Sequence, residues 1–383
     1  MFLYLAFKEI WRNKGRFFLV GLVIALITIL VLFIAALAEG LGLGNREYIE
    51  KLNANLLLYQ ENVDFSIPSS RLGWSKLNDI KRVDGVEEVG PIGFATTTIV
   101  GPGREPLDVS LIGVEPAKPG EPPALAGSNL RSRRAKAAII DKNVVLRTGL
   151  NLGNRFTIKT IQGTKEKFYT LEVAGISDGR RYSIQPSIFV PFLTWEEIKP
   201  KTGVEDPKAE LIFNVVAVRL DRPADIERMK QRLEEQVSDV EAADLVTAYQ
   251  STPGYGPQQS TLSTQRTFTL LIGILVIGGF FQIQTLQKVA QIGVLKAIGA
   301  STITVAAASL TQIVLVMILG VMIGSIGALA LSLVLPAIIP IIFTPTSVVT
   351  AIITLLIIGP LGGLVSIRVL LKVEPLTALG LAT

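Results

Sequence analysis

Residues 175–179 read Gly-Ile-Ser-Asp-Gly and are the closest match to a reactive motif in the chain, because they fit the G-x-S-x-G pattern of a hydrolase nucleophile elbow. That chemistry needs a helix after the serine and a histidine that accepts its proton. Arg180-Arg-Tyr-Ser-Ile-Gln-Pro186 follows instead, and the chain contains no His. We therefore interpret the motif as a turn at the end of a strand.

The residue types that are missing exclude most catalytic sites. The absence of both His and Cys excludes disulfides, Cys/His zinc sites and triads with a histidine base. No G-x-x-x-x-G-K-[ST] sequence occurs, so the chain itself does not bind ATP through a P-loop. We predict that it is not an enzyme and has no catalytic, cofactor or metal site of its own.

Long runs without charged residues indicate where the chain crosses a membrane. Only 18% of the residues are charged, against about 25% in soluble domains. Residues 17–38, 267–287 and 297–367 contain no Asp, Glu, Lys or Arg, and they span 22, 21 and 71 residues. A bilayer core of about 30 Å takes about 20 helical residues, so the first two runs hold one span each and the third holds two.

Prolines mark the turn inside the third run, because proline cannot continue a helix. We predict transmembrane helices near residues 17–38, 267–286, 304–335 and 347–367. A cleaved signal peptide is the alternative for the first run, since Ala36-Leu37-Ala38 resembles a cleavage site. The second alternative, buried helices of a soluble core, conflicts with a run of 71 uncharged residues.

The basic residues outside the central region indicate the orientation. Residues 40–266 hold 29 of the 37 Lys+Arg and 29 of the 32 Asp+Glu, so the net charge of +5 comes entirely from the rest of the chain. The eight remaining bases flank the predicted spans on one side, which the positive-inside rule makes the cytoplasm. We predict a bacterial plasma (inner) membrane protein with both termini cytoplasmic. The bases are Lys8, Arg12, Lys14, Arg16, Lys288, Lys296, Arg368 and Lys372.

The predicted organisation has three parts. Residues 1–40 hold an amphipathic N-terminal helix and the first span, and residues 266–383 hold the other three spans. Residues 41–265 have the composition of a soluble domain, in which short apolar runs alternate with helix-like segments, so we predict a large extracytoplasmic α+β domain between helices 1 and 2. Helix-like segments begin at Trp74, at Asp141 and, most clearly, at Pro223. The strand-like runs are residues 55–59, 94–100, 109–114, 168–173, 187–190 and 215–220.

A short segment at residues 286–301 separates the second and third spans. It is too polar to cross a membrane, and Ile292, Leu295 and Ile298 would share one side of a short helix. Gly299 suits the end of that helix, and Ser301 can cap the next one. We predict a helix at the cytoplasmic face that could pass force from a cytosolic partner into the membrane.

The same segment resembles a known family. Residues 291–301, Gln-Ile-Gly-Val-Leu-Lys-Ala-Ile-Gly-Ala-Ser, resemble the E-I-G-x-L-[RK]-A-[IL]-G-A-S segment of FtsX/MacB-type ABC transporter permeases. Residues 374–379 resemble their D-P-x-x-A-L tail, residues 6–14 resemble their N-terminal helix, and the order of spans agrees. The resemblance covers the whole chain and is closest to the HrtB/DevC-like branch. Gln291 departs from the Glu of many members, so an acidic contact to the ATPase is not expected there.

The resemblance implies partners and a mechanism. It implies a homodimer in the membrane lipid that binds two copies of a separate cytosolic ABC ATPase, which would carry ATP and Mg; a periplasmic adaptor is a further candidate, and nucleic acid is not. Closure of the ATPase would move the extracytoplasmic domain by mechanotransmission. Nine residues of the inner helix would couple to the ATPase: Lys288, Gln291, Ile292, Gly293, Leu295, Lys296, Ala297, Ile298 and Gly299.

The function implied by the family is export or extraction of a hydrophobic or amphipathic substrate such as haem, a lipid, a lipoprotein or a peptide. The alternative is an FtsX-like transmitter that does not transport and instead activates a cell-wall hydrolase. If the substrate were haem, ligation by His or Cys would be impossible. Met317, Met322, Tyr48 or Glu39 would then have to serve.

Two further groups of residues are candidates for roles in or near the membrane. Gly320 and Gly324 in the third span and Gly359 and Gly363 in the fourth predict close helix packing, either within one subunit or between two. Glu39 at the outer end of the first span, with Tyr48 beyond it, could line a lateral route by which substrate enters.

Overall fold

The computed structural model describes residue 8 and residues 11–101, 105–201, 210–287, 301–335 and 339–371. The chain divides into two compact units. Met1–Leu41 and Gln259–Thr383 form one, called the helical unit here, and Gly42–Gln258 forms the other, called the sheet unit. The inner segment from residue 288 to residue 300 lies outside the described residues.

The helices and strands are numbered in chain order. The helices are α1 Lys14–Glu50, α2 Trp74–Lys81, α3 Lys142–Thr148, α4 Phe192–Ile198, α5 Ile226–Gln236, α6 Leu245–Gln250, α7 Tyr255–Gln287, α8 Thr302–Val334 and α9 Pro345–Leu371. The strands are β1 Leu56–Gln60, β2 Leu72–Gly73, β3 Val86–Val100, β4 Leu107–Val114, β5 Ala126–Gly127, β6 Ala137–Asp141, β7 Arg155–Gln162, β8 Lys165–Ser177, β9 Ser187–Pro191, β10 Ile212–Phe213, β11 Val215–Leu220 and β12 Val240–Asp244.

Four helices are long and apolar enough to cross a membrane, as the charge-free runs predict. The qualifying stretches are Lys14–Glu50, Tyr255–Ile283, Ala306–Val334 and Pro345–Gly362. In the helical unit they bury one shared apolar cluster, to which α1 contributes Ile24, α7 Phe281, α8 Met317 and α9 Leu355. Many other large apolar side chains of these helices are exposed, which is expected when lipid replaces water around them.

The sheet unit is built on one large mixed sheet. Its strands lie in the order β12-β1-β11-β3-β4-β9-β6-β8-β5, and β7 pairs with both β3 and β8. The pairs β4/β9 and β6/β8 are parallel and the other pairs are antiparallel. Strands β2 and β10 form a separate small sheet.

Alternating side chains of the central strands pack into two hydrophobic cores, one on each face of the sheet. In β1, Leu56 and Leu58 belong to one core and Leu57 and Tyr59 to the other. Strand β9 divides in the same way, with Phe189 in the second core. Burial on both faces explains why these strands read as continuous apolar runs. The final turns of α1 close the second core with Tyr48 and Ile49.

The fold agrees with the predicted class: four membrane helices, with the α+β domain between the first and the second. Strands predicted near residues 55–59, 109–114 and 215–220 are present, with small shifts at their ends. The helix predicted from Pro223 begins as a short 3-10 turn and continues as α5. The predicted first span ends at residue 38, but α1 continues to Glu50 without interruption.

Candidate functional site

The predicted coupling helix lies almost entirely outside the described residues, so the roles expected for Lys288, Gln291, Ile292, Gly293, Leu295, Lys296, Ala297, Ile298 and Gly299 stay predictions. The structure describes Gln287, at the beginning of the segment 286–301. There the guanidinium of Arg16, at the start of α1, donates a hydrogen bond to the side-chain oxygen of Gln287, the last residue of α7. The side of the helical unit that carries the basic flank is thus also the side where the inner segment begins.

The glycines of α8 lie against α1 of the same chain. A Cβ added to Gly320 would lie 2.6 Å from Cγ2 of Ile24, and one added to Gly324 would lie 2.5 Å from Cβ of Thr28. Thr28 is fully buried, and its hydroxyl donates to the carbonyl of Ile24 at 2.8 Å. The small residues therefore let α8 approach the backbone of α1 within the subunit.

Glycines of α9 allow close packing against the other helices of the helical unit. A Cβ on Gly359 would collide with the side chain of Met317 in α8. A Cβ on Gly362 would lie 3.0 Å from the carbonyl oxygen of Ile274 in α7 and 3.4 Å from Cα of Gly278. Gly363 falls within α9, and its surroundings lie outside the described residues. Close backbone packing thus joins α9 to both α7 and α8.

Glu39 lies where the α8–α9 connection meets α1. The hydroxyl of Ser347, near the start of α9, donates to its carboxylate at 3.5 Å, and the N–H of Ile342 donates to the carbonyl of Ala36 at 3.1 Å. Glu39 is half-buried. The carboxylate therefore contacts the connection before α9, and this is the place at which the sequence predicts a route for substrate.

Tyr48 does not line a surface in this structure. Its side chain is 1% exposed and packs in the second core, with its ring centroid 5.6 Å from that of Phe189 and 6.3 Å from that of Tyr182. Burial in the core of the sheet unit removes it from the reach of a substrate in water or lipid. Its role here is packing of the last turns of α1 against the sheet.

A cluster of five charged residues ties those last turns to the loop after β8. We call it the junction cluster: Glu47, Lys51, Asp178, Arg180 and Arg181. Arg181 Nε lies 2.9 Å from Glu47 Oε2, and Lys51 Nζ lies 3.0 Å from Asp178 Oδ2. Arg180 adds a 2.8 Å contact to Asp178 and donates through Nη1 to the carbonyl of Lys51 at 2.6 Å.

The pair at the centre of the junction cluster is withdrawn from water. The side chains of Glu47 and Arg181 are 6% and 12% exposed, so neither charge could be left alone without a large desolvation cost. Asp178 is more exposed; burial opposes its ionisation, but its bonds to Arg180 and Lys51 and their charges outweigh burial and lower the pKa of Asp178. The ion pairs of the cluster therefore hold the loop on the helix.

Asp141 anchors the same loop from the other side. Its Oδ1 accepts hydrogen bonds from the N–H groups of Asn143 and Val144 and so caps α3, while its Oδ2 accepts from Ser187 N at 3.0 Å and Arg180 N at 3.4 Å. Burial raises the pKa of Asp141, although these hydrogen bonds work in the opposite direction. One carboxylate thus fixes both ends of the segment between Arg180 and Ser187.

The hydrolase-like motif of residues 175–179 belongs to this junction. Ser177 is the last residue of β8 and is buried, and a bonded loop rather than a helix follows it. Gly179 lies so close to Glu47 that a Cβ there would contact the carboxylate and would lie 3.0 Å from Cε of Lys142. The motif is therefore the end of a strand that packs against α1, and the predicted turn at a strand end is confirmed.

Sequence reasoning did not find the junction cluster. Glu47 and Arg181 are 134 residues apart along the chain, and no local period connects them. The available signal was the absence of proline after residue 38, which allows the helix to extend. The basic pair Arg180-Arg181 directly after a strand was the second.

Comparison with known proteins identifies the family. Residues 17–236 match the model of the MacB-like periplasmic core domain, and residues 267–375 match the model of the FtsX-like permease C-terminal region. The chain is 27% identical over 376 residues to a protein of Staphylococcus haemolyticus named as the hemin transport system permease HrtB, covering 98% of this chain and 99% of that one. A protein of the same name from Staphylococcus epidermidis is 25% identical over the same shares.

Among solved structures, the extracellular domain of the ABC-type transporter YknZ from Gram-positive bacteria is similar to half of this chain. It has 16% identity and a TM-score of 0.36, covering 50% of this chain and 100% of that one. The family models together cover most of the first helix, most of the sheet unit and most of the three remaining long helices. The chain is a multi-pass membrane protein and belongs to the FtsX/MacB-type family of ABC transporter permeases.

Proposed function

We propose that this chain is the permease subunit of an ABC exporter, in which a separate cytosolic ATPase drives movement of the sheet unit. Two copies of the chain and two of the ATPase would form the transporter, with both termini and the segment 286–301 on the cytoplasmic side. The basic residues that flank the spans support this orientation. Export or extraction of a hydrophobic or amphipathic substrate would take place at the outer side of the membrane.

The observation that carries the proposal is the length and attachment of α1. Its 37 residues make a helix about 55 Å long, while the hydrocarbon core of a bilayer is about 30 Å thick. The helix is therefore longer than a single crossing requires. Its last residues are held in the sheet unit by the junction cluster, so displacement of the helix would be transmitted to the sheet through ion pairs and a covalent backbone.

The substrate class we propose is hemin or a similar flat, anionic and apolar molecule. Two relatives that match the full chain are named as hemin permeases. Met317 and Tyr48 are each 1% exposed, whereas Met322 is 57% exposed. Because thioether sulfur is one of the axial ligands that haem iron accepts, Met322 is the candidate ligand of this chain that substrate can reach, with Glu39 as a carboxylate candidate.

The test is reconstitution of the chain with a candidate ABC ATPase partner, in liposomes that carry hemin in their inner leaflet. We expect hemin to stimulate ATP hydrolysis and to leave the membrane in an ATP-dependent manner. The Leu295→Asp/Ile298→Asp variant should lose ATPase binding and export. A control variant, Leu146→Asp, changes a 79% exposed residue of the sheet unit and should leave both intact.

Two outcomes would contradict parts of the proposal. Export that survives Leu295→Asp/Ile298→Asp would exclude the predicted coupling helix as the contact to the ATPase. Stimulation of the ATPase by a purified cell-wall hydrolase, with none by hemin or lipid, would favour the transmitter function instead. A periplasmic adaptor that co-purifies with the sheet unit would place the chain in a larger pump.

A further inference from the structure

A two-residue hairpin in the junction loop adopts a strained backbone. Tyr182 and Gln185 exchange both of their backbone hydrogen bonds at 3.1 Å. Between them Ser183 has φ 50° and Ile184 has φ 67°. Positive φ at both central positions is typical of a type I′ turn, which favours Asn-Gly. A β-branched residue such as isoleucine is an outlier there, because its Cβ crowds the backbone.

The hairpin bonds directly to the backbone of α1. The N–H of Ile184 donates to the carbonyl of Gly44 at 3.0 Å, and the N–H of Tyr48 donates to the carbonyl of Arg181 at 3.1 Å. In a regular helix the N–H of residue 48 pairs with the carbonyl of residue 44. The hairpin therefore bonds to the two backbone groups, the carbonyl of Gly44 and the N–H of Tyr48, that pair with each other in a regular helix.

Gly44 makes this contact sterically possible. A Cβ at this position would lie 3.2 Å from Cα of Ile184 and 3.6 Å from its Cβ. The glycine lies inside a helix, where it weakens the helix relative to alanine. Its presence is explained by the close approach of the two backbones.

Strained backbone persists only where the surroundings fix it, and here the surroundings are the junction cluster and Asp141. Arg181 and Arg180 hold the start of the hairpin, and Asp141 holds the N–H of Ser187 at its end. Strand β9, which begins at Ser187, pairs with β4 and β6 inside the large sheet. A change in the hairpin would therefore reach the middle of the sheet.

We propose that residues 182–185 form a strained latch on α1, with Ile184 as the residue that positions it. In one state of the transport cycle the latch is hydrogen-bonded to Gly44 and Tyr48, and in another state these bonds are broken. Backbone strain in the bonded turn reduces the free-energy difference between the two states, so that movement of α1 can release the latch. This inference rests on the proposed function, in which α1 drives the sheet unit.

Amide hydrogen exchange of the full chain in lipid nanodiscs tests the latch at the N–H of Tyr48. Ile184→Gly keeps the donor to Gly44 and removes the strain, so Tyr48 should exchange about tenfold more slowly, equivalent to about 1.4 kcal/mol. Ala117→Gly is the matched control, because Ala117 has φ 61° in a different turn of the sheet unit. It should leave exchange at Tyr48 unchanged.

The opposite change is Gly44→Ala, which pushes on Ile184 and should speed exchange at Tyr48 several-fold. Gly21→Ala is its control, since a Cβ on Gly21 would meet nothing within 4 Å.

In the reconstituted transporter, Ile184→Gly should slow export several-fold while basal ATP hydrolysis stays unchanged. Trapping the ATPase in its ATP-bound form should alter exchange at Tyr48 in the unmodified chain.

The proposal is wrong if Ile184→Gly does not change the exchange rate at Tyr48. It is also wrong if trapping the ATPase in its ATP-bound form does not change that rate in the unmodified chain. In the second case the hairpin is a static clamp. Absence of transport by the unmodified chain would overturn the proposed function instead. Exchange at Tyr48 in Ile184→Gly and Gly44→Ala would still show whether the strained turn controls the hydrogen bonds between the hairpin and α1.

Discussion

The single helix α1 is held by different chemistry at two places along its length. Near Ile24 and Thr28 it meets Gly320 and Gly324 of α8, and the described contacts there are between carbon atoms and backbone. At Glu47, in the sheet unit, the same helix is held by the junction cluster and by backbone hydrogen bonds.

The difference follows from the solvent that each part of the helix meets. In lipid, apolar burial does not favour contact between helices, so close fit of small residues supplies the attraction. Outside the membrane, charged side chains can join a helix to a loop, and burial of the pair makes the connection sensitive to loss of either partner. The first kind of contact depends on the close fit of two helix surfaces, and the second depends on the charges of individual residue pairs.

The largest expected effect is loss of the buried pair through Glu47→Leu. Arg181 would keep its charge without its partner, which costs about 3–5 kcal/mol of unfolding free energy for buried pairs. Fluorescence of Trp74 and Trp195 during urea unfolding reports the sheet unit, in a Trp11→Phe background that silences the remaining tryptophan.

Glu50→Leu is the control for this prediction. Glu50 lies in the same helix and pairs with Arg46 at 3.5 Å, but its side chain is 41% exposed. Exposed pairs contribute about 0–1 kcal/mol, so the midpoint of urea unfolding should hardly change in Glu50→Leu. Equal losses from Glu47→Leu and Glu50→Leu would show that burial does not set the strength of the junction.

The sequence predicts one of these two regions well and the other poorly. The four membrane helices follow from charge-free runs, because lipid excludes charge over a fixed length of chain. The glycines of α8 are visible as a four-residue spacing. The packing partner of Gly324 and the pairing of Glu47 with Arg181 depend on tertiary structure, and neither leaves a local pattern.

The strands that sequence reasoning missed have physical reasons of their own. Strand β12 reads Val-Glu-Ala-Ala-Asp, and alanine and acidic residues are poor strand formers. It forms because β1 pairs with it along all five residues. Strand β7 alternates polar residues such as Arg155 and Lys159 with buried ones such as Phe156, so it contains no continuous apolar run.

An intermediate effect is expected from Gly324→Ala in the helical unit. The new Cβ would lie 2.5 Å from Cβ of Thr28 and 2.6 Å from the carbonyl oxygen of Ala25, so α8 must move away from α1. Overpacking of this kind costs about 1–3 kcal/mol. The measurement is thermal stability of the full chain in detergent, and Gly279→Ala, with nothing within 4 Å of its Cβ, is the control that should not change it.

The smallest expected effect separates the two kinds of contact by pH. The pKa of Asp178 is lowered, so its contribution to stability is present above the unfolded value of about 3.9 and is lost as pH falls through the folded value. The pKa of Asp141 is raised, so its contribution is lost as pH rises through the folded value. Asp178→Asn should therefore flatten the acid loss of stability, and Asp141→Asn should steepen it.

The contrast with α8 completes this test, because no titratable group is among the atoms that Gly324 meets in the described part of the chain. The loss caused by Gly324→Ala should have the same size at pH 4 and pH 7, whereas the losses caused by the two aspartate substitutions should change in opposite directions. Unfolding midpoints followed by tryptophan fluorescence measure the two aspartate variants, and thermal stability of the full chain in detergent measures Gly324→Ala, each from pH 7 to pH 3. A pH-dependent loss in Gly324→Ala would mean that the membrane contact and the junction cluster are coupled, and that the helix does not separate them.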